Sequence, residues 1–309
     1  AEIEKLPQLH SDLWGVFRGV DTSDSEAMER FLEPEDQRQV FYDALTAYAR
    51  TLKVALTSTK FYETTSERQI QTYKNDLKKF HNLRMAVKIR YAEVIDFRDY
   101  EQKIRKLLDD HIDARGVRQL TAEVEIFDAE AFDEVVDSLG TPRARAEAIL
   151  NHLKRTSIER MELDPAYYQE FSKLIEETLK EIEAGRINEL EALERAKNLK
   201  ERETSGYRQD IPESLRNLRD APAYYGVIKI TLPERLTEAL MAEISAQVEL
   251  IIEDNKIRDW ENNQDVLNRM RNAIEDYLYD IEVEHGIRFS NVELDEIVEQ
   301  VIDIARKRA

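Results

Sequence analysis

Apolar residues recur at helical spacing along nearly the whole chain, and little interrupts them: there are 8 Gly and 7 Pro in 309 residues. Gly stands at about a third of its usual frequency, too little for the many turns of an all-β fold. The pattern predicts an all-α architecture, a bundle-like assembly of many helices.

The stripes and their caps read in order along the sequence. After a break at Pro34, one stripe holds Phe41, Leu45, Tyr48, Leu52 and Leu56. Ser66 and Gln69 have the form of a capping box, in which each side chain satisfies an orphan backbone N–H. They precede Ile70, Tyr73, Leu77, Phe80, Val87 and Tyr91. A shorter helix carries Ile104, Leu107, Leu108 and Ile112, with Gly116 as its left-handed stop. Leu120 to Phe127 is the best strand candidate, because Val124 and Ile126 alternate, so a minor strand element is expected near residues 120–127. Thr141-Pro142 and Asp164-Pro165 each place a cap and then Pro at the first helical position. Gly185 and Gly286 mark helix ends, and Asn188 a start. Thr231 and Glu234 read as the box of a helix bearing Leu236, Leu240, Ile244 and Val248. Ser290 and Glu293 box the last helix. The expected division is residues 1–140 and 141–309, with the polar stretch 201–223 (Gly206, Pro212, Pro222) as a linker candidate.

Composition narrows the function. The net charge of -19 argues against a general DNA-coating protein but leaves room for a local basic patch. With no Cys there is neither a disulfide nor a thiolate metal site. No apolar run is long enough to span a membrane, and the expected compartment is the cytoplasm. No phosphate loop, H-E-x-x-H, C-x-x-C or G-x-S-x-G occurs. The chain is therefore expected to bind or scaffold, with no catalytic residue, metal ligand or cofactor of its own. It opens Ala1-Glu2-Ile3-Glu4 without an initiator Met, as a fragment or processed chain would.

The strongest candidate site is a basic run. Arg68, Lys74, Lys78, Lys79, Arg84, Lys88 and Arg90 face one acid, Asp76. On a helix, Lys74, Lys78, His81 and Lys88 fall on one flank of the apolar stripe, and Arg68, Lys79 and Arg90 on the other. The second row spans roughly 33 Å, enough to follow a phosphate backbone. The nucleic-acid-binding candidates are Arg68, Lys74, Lys78, Lys79, Lys88 and Arg90; a solvated or protein-docked face is the plainer reading. Arg84 lies within the stripe, as a residue whose stem packs while its head reaches water.

Other constellations carry less. Glu101-Gln102-Lys103, with Asp96 and Asp99, has the form of half a nuclease site but opens a helix, where Glu101 and Lys103 diverge. Of Asp109, Asp110, His111 and Asp113, only Asp109 and Asp113 share a helical face. His285, just before Gly286, suits a helix C-terminus. The pairs Tyr167-Tyr168 and Tyr224-Tyr225 read as core aromatics before stacking platforms.

Several segments, in their order, resemble the C-terminal region of the R subunits (HsdR) of type I restriction enzymes. They are Phe41 to Arg50 with Leu52 to Leu56, Tyr73 to Phe80 leading to Arg90-Tyr91-Ala92-Glu93, and Leu107 to Ile112. Asp164 to Tyr168 with Phe171 to Leu174, Ala223 to Gly226 and Trp260 to Tyr279 complete them. The resemblance implies a parent that is an ATP-driven, Mg²⁺-dependent DNA translocase and endonuclease. That parent would work on double-stranded DNA with methyltransferase and specificity subunits. The family's nuclease and helicase motifs precede this region, so it supplies no catalytic residue here. It implies a region that packs on the motor and docks the methyltransferase core. The alternatives are a self-contained helical adaptor that binds no nucleic acid, and a hydrolase built from scattered carboxylates. The DNA-related reading needs Lys74, Lys78, Lys79 and Arg90 exposed together, and the hydrolase needs a convergent buried carboxylate cluster.

Overall fold

The structure, a computed structural model, describes residues 3–93, 107, 129–205, 211–233 and 235–309. Thirteen α-helices and no strand occur among the described residues. The strand expected at 120–127 lies outside them. So do Asp96, Asp99, Glu101 to Lys103, Asp109 to Asp113, Gly116, Gly206 and Glu234.

The chain forms two compact units, residues 1–152 with 185–197 and residues 153–184 with 198–309. The first therefore runs past the expected boundary at 140/141. The local signal there, Thr141-Pro142, opens a helix whose first residues belong to the earlier unit's polar interior.

In the first unit, helix α1 (Leu6–Gly15) packs on α3 (Glu35–Leu56), and α5 (Glu67–Arg90) packs on α3 and on α2 (Ser25–Phe31). Helix α4 (Thr59–Thr64) is one short turn between them, and α6 (Ala129–Asp137) also meets α5. The stripe read from the sequence is the core: Phe41, Leu45, Tyr48, Leu52, Leu77, Phe80 and Val87 are fully buried. Phe17 joins them, stacked on Phe80 at 5.8 Å between centroids and edge-on to Phe41 at 5.4 Å. Each such ring removed from water contributes roughly 1.5–3 kcal/mol. Ser66 caps α5 by accepting from the N–H of Gln69 at 3.3 Å.

Helix α7 (Pro142–Arg160) begins in the first unit and ends in the second. Helix α9 (Glu189–Thr204) is likewise divided, and α8 (Pro165–Glu183) lies in the second. Within the second unit, α10 (Ala221–Thr231) is central. It packs on α8, on α11 (Glu238–Asn255) and on α13 (Asn291–Lys307), while α12 (Gln264–His285) packs on α11 and α13. Most caps fall where the sequence put them: Thr141, Asp164 and Asn188 each accept a backbone N–H three residues on, and Ser290 and Glu293 form the full box. Gly185 and Gly286 end their helices with φ of 63° and 65°.

Two expectations differ from the structure. The helix expected to open at Thr231 and Glu234 opens at Thr237, whose hydroxyl accepts from Leu240 N–H. Thr231 instead ends α10, and Pro233 cannot continue that helix. The described part of 201–223 lies within the second unit, with Leu215, Ala221 and Ala223 fully buried. Polarity marked a turn there, because Pro212, Glu213 and Asp220 flank short helical starts.

Candidate functional site

The basic helix α5 divides into two halves that do different things. In the first, Arg68 is exposed and Lys74 and Lys78 are partly exposed. Lys79 is held inward: its ammonium donates to the carbonyl of Thr22 at 2.8 Å and stands 4.9 Å from the Trp14 ring. Asp76, the acid among these cations, faces α1. Its Oδ2 lies 2.7 Å from His10 Nε2 and accepts from Trp14 Nε1 at 3.0 Å. Sequence reasoning did not link Asp76 to His10, since that contact joins residues 66 apart.

In the second half every residue from Leu83 to Arg90 is buried. Arg84 was expected to pack its stem and reach water with its head, but the whole residue is buried. Its guanidinium carbon sits 4.4 Å over the Tyr42 ring, a cation–π contact in which the ring face replaces solvent. Lys88 is also buried, 5.8 Å from the same ring. Burial and the Glu93 carboxylate, which accepts from Tyr42 Oη at 2.7 Å, push the Tyr42 phenol well above its ordinary value.

Arg90 corrects the reading most sharply. It has no exposed surface, so it cannot reach a phosphate backbone. Its Nε donates to Glu147 at 2.8 Å, Nη1 to Glu29 at 3.0 Å and Nη2 to Glu26 at 2.7 Å. Thr141 donates to the other oxygen of Glu26, and Arg143 to the other oxygen of Glu147. Burial works against the guanidinium charge, but Glu147 and Glu26 outweigh it and hold the Arg90 pKa above its ordinary value. Burial also opposes the charge of Glu26, yet Arg90 keeps that carboxyl below its ordinary 4.5.

Lys74, Lys78, Lys79 and Arg90 are thus not exposed together. The helical row was geometrically sound, but α2 and α7 cover its far end. Lys88 and Arg90 leave the list of candidate phosphate contacts, and Lys79 is committed within the molecule. Three carboxylates do converge, those of buried Glu29 and Glu147 and of partly buried Glu26, but their centre is filled by Arg90. Three charge-assisted bonds hold that guanidinium, leaving the carboxylates no open position for a metal or a reacting group. Among the described residues no group of three His, Asp or Glu side chains could hold a metal ion. No helix among them is long and apolar enough to cross a membrane.

The tyrosine pairs lie in the core of the second unit. Tyr167 and Tyr168 both donate to the buried carboxylate of Glu203, at 2.9 and 3.0 Å. Tyr224 and Tyr225 are buried in the apolar cluster around α10.

A family model described as type I restriction enzyme HindI endonuclease subunit-like, C-terminal, matches residues 23–309. No functionally curated protein and no solved structure gives a significant match.

Proposed function

Because the chain belongs to the family of C-terminal regions of HindI-like type I restriction endonuclease subunits, we propose that it is the non-catalytic helical part of such a subunit. It packs on the motor and docks the subunit onto methyltransferase and specificity partners, while the first half of α5 guides duplex DNA. The observation that carries this reading is the family match, which runs through both helical units. ATP and Mg²⁺ belong to the motor and nuclease parts of the parent, and the complex is cytoplasmic.

The DNA-guiding element is narrower than the basic run. Arg68, Lys74 and Lys78 are its cations, since these retain exposed surface. Contacts of this kind are non-specific and depend on salt.

The test compares the full R subunit with one lacking residues 1–309, each mixed with the methyltransferase core. Native mass spectrometry should show assembly only with the full subunit, while the truncated one keeps its motor ATPase. Assembly with undiminished affinity after truncation would overturn the docking role.

A further inference from the structure

Past Glu67, the exposed acid of its first turn, the outward side of the first half of α5 carries only hydrogen-bond donors. At 100° per residue, Arg68, Gln71, Lys74, Asn75, Lys78 and Asn82 fall on one side of the helix. Arg68, Gln71 and Asn75 are exposed, and Lys74, Lys78 and Asn82 partly so. All six are hydrogen-bond donors and none is a carboxylate, in a chain whose net charge is -19. The acid that interrupts the run, Asp76, is turned to His10 and Trp14, away from this stripe. Gln71 Nε2 donates to Asn75 Oδ1 at 2.9 Å, which leaves the Asn75 amide group able to donate outward. From Arg68 to Asn82 the stripe runs about 21 Å along the helix axis.

We infer that this mixed stripe is a track for the phosphodiester backbone of duplex DNA, in which Gln71 and Asn75 contact phosphate oxygens between the cations Arg68, Lys74 and Lys78. The inference rests on the DNA-guiding reading and adds to it two residues and a physical signature. Cations and amides are both common phosphate contacts and carry no sequence information. They differ in salt dependence: a lost cation releases fewer counterions, whereas a lost amide removes a neutral bond and releases none.

The experiment measures binding of a short duplex lacking the recognition sequence to the assembled restriction complex, across a series of salt concentrations. Two variants are compared, Gln71→Ala with Asn75→Ala, and Arg68→Ala with Lys74→Ala and Lys78→Ala. Alanine favours helix at such positions, so α5 should stay folded, as an unchanged melting temperature would show. The amide pair should weaken binding at least about five-fold with the slope of log K against log salt unchanged. The triple variant should weaken binding and reduce the slope by about 0.9 per cation removed. Loss with the cations and none with the amides would overturn the mixed stripe while leaving α5 as a DNA guide. Unchanged binding in both variants would overturn the stripe and the DNA-guiding reading together.

Discussion

The β-carbon that Gly226 lacks would stand 2.7 Å from the β-carbon of Ala166. Helices α10 and α8 of the second unit therefore approach closely at this point. Alanine at 226 would gain about 1 kcal/mol of helix propensity, but it would force the two helices apart. Overpacking of this kind costs roughly 1–3 kcal/mol. Gly226→Ala should thus lower the denaturation midpoint, and Ala166→Gly added to it should recover part of the loss. Four proteins in a double-mutant cycle give the coupling; strict additivity would place the strain elsewhere.

Arg90 offers a sharper substitution. Arg90→Met keeps volume but strands Glu26, Glu29 and Glu147 around an apolar group. Breaking a buried ion cluster from one side costs roughly 3–5 kcal/mol. The variant should also invert the pH response. Its crowded carboxylates resist ionisation, so stability should rise as pH falls from neutrality towards 5, as urea midpoints would show. A flat or falling profile would mean the three carboxylates relax into solvent.

The native cluster has the opposite sign. The Glu26 carboxyl is held below 4.5 when folded, so its ionised form adds stability that is fully present above that value. That contribution is lost as pH falls from 4.5 through the folded value. Because many other acids titrate in the same range, the useful quantity is the difference between the native protein and Glu26→Gln. It should be constant between pH 5 and 7 and shrink below 4.5. A difference that does not change with pH would assign Glu26 to packing alone.

Local signals carried most of the fold. Apolar periodicity located Phe41 through Leu56 and Tyr73 through Val87 because a helix buries one stripe, whatever lies opposite. Caps at Ser66, Thr141, Asp164 and Ser290 were visible because a helix start satisfies its N–H groups within three residues. Pairing across the chain was not legible. Arg90 lies on the helical row of Arg68 and Lys79, and nothing near residue 90 says that Glu26, Glu29 and Glu147 enclose it. The Thr231–Glu234 box failed because Thr231 is the last residue of α10, and the next helix takes its cap from Thr237 instead. The candidate site was therefore half legible, as a basic helix whose exposed portion only the tertiary packing defines.

The same substitution at two tyrosines of the second unit should have opposite consequences. The hydroxyl of Tyr224 is buried and has no hydrogen-bond partner among the described residues. Burial, with the nearby Asp220 and Glu249 carboxylates, pushes its pKa well above the ordinary value, so it stays a neutral group. Tyr224→Phe deletes an unsatisfied polar atom and keeps the ring, so stability should be unchanged or higher by about 1 kcal/mol. Tyr167 differs, because its hydroxyl is one of two that donate hydrogen bonds to the buried Glu203 carboxylate. Tyr167→Phe leaves that charge with a single tyrosine donor and should cost roughly 1.5–3 kcal/mol. Thermal or chemical denaturation of both variants checks the contrast. Equal losses would show that Tyr224 has a partner in solution, and no loss at Tyr167 would show that Glu203 recruits another donor.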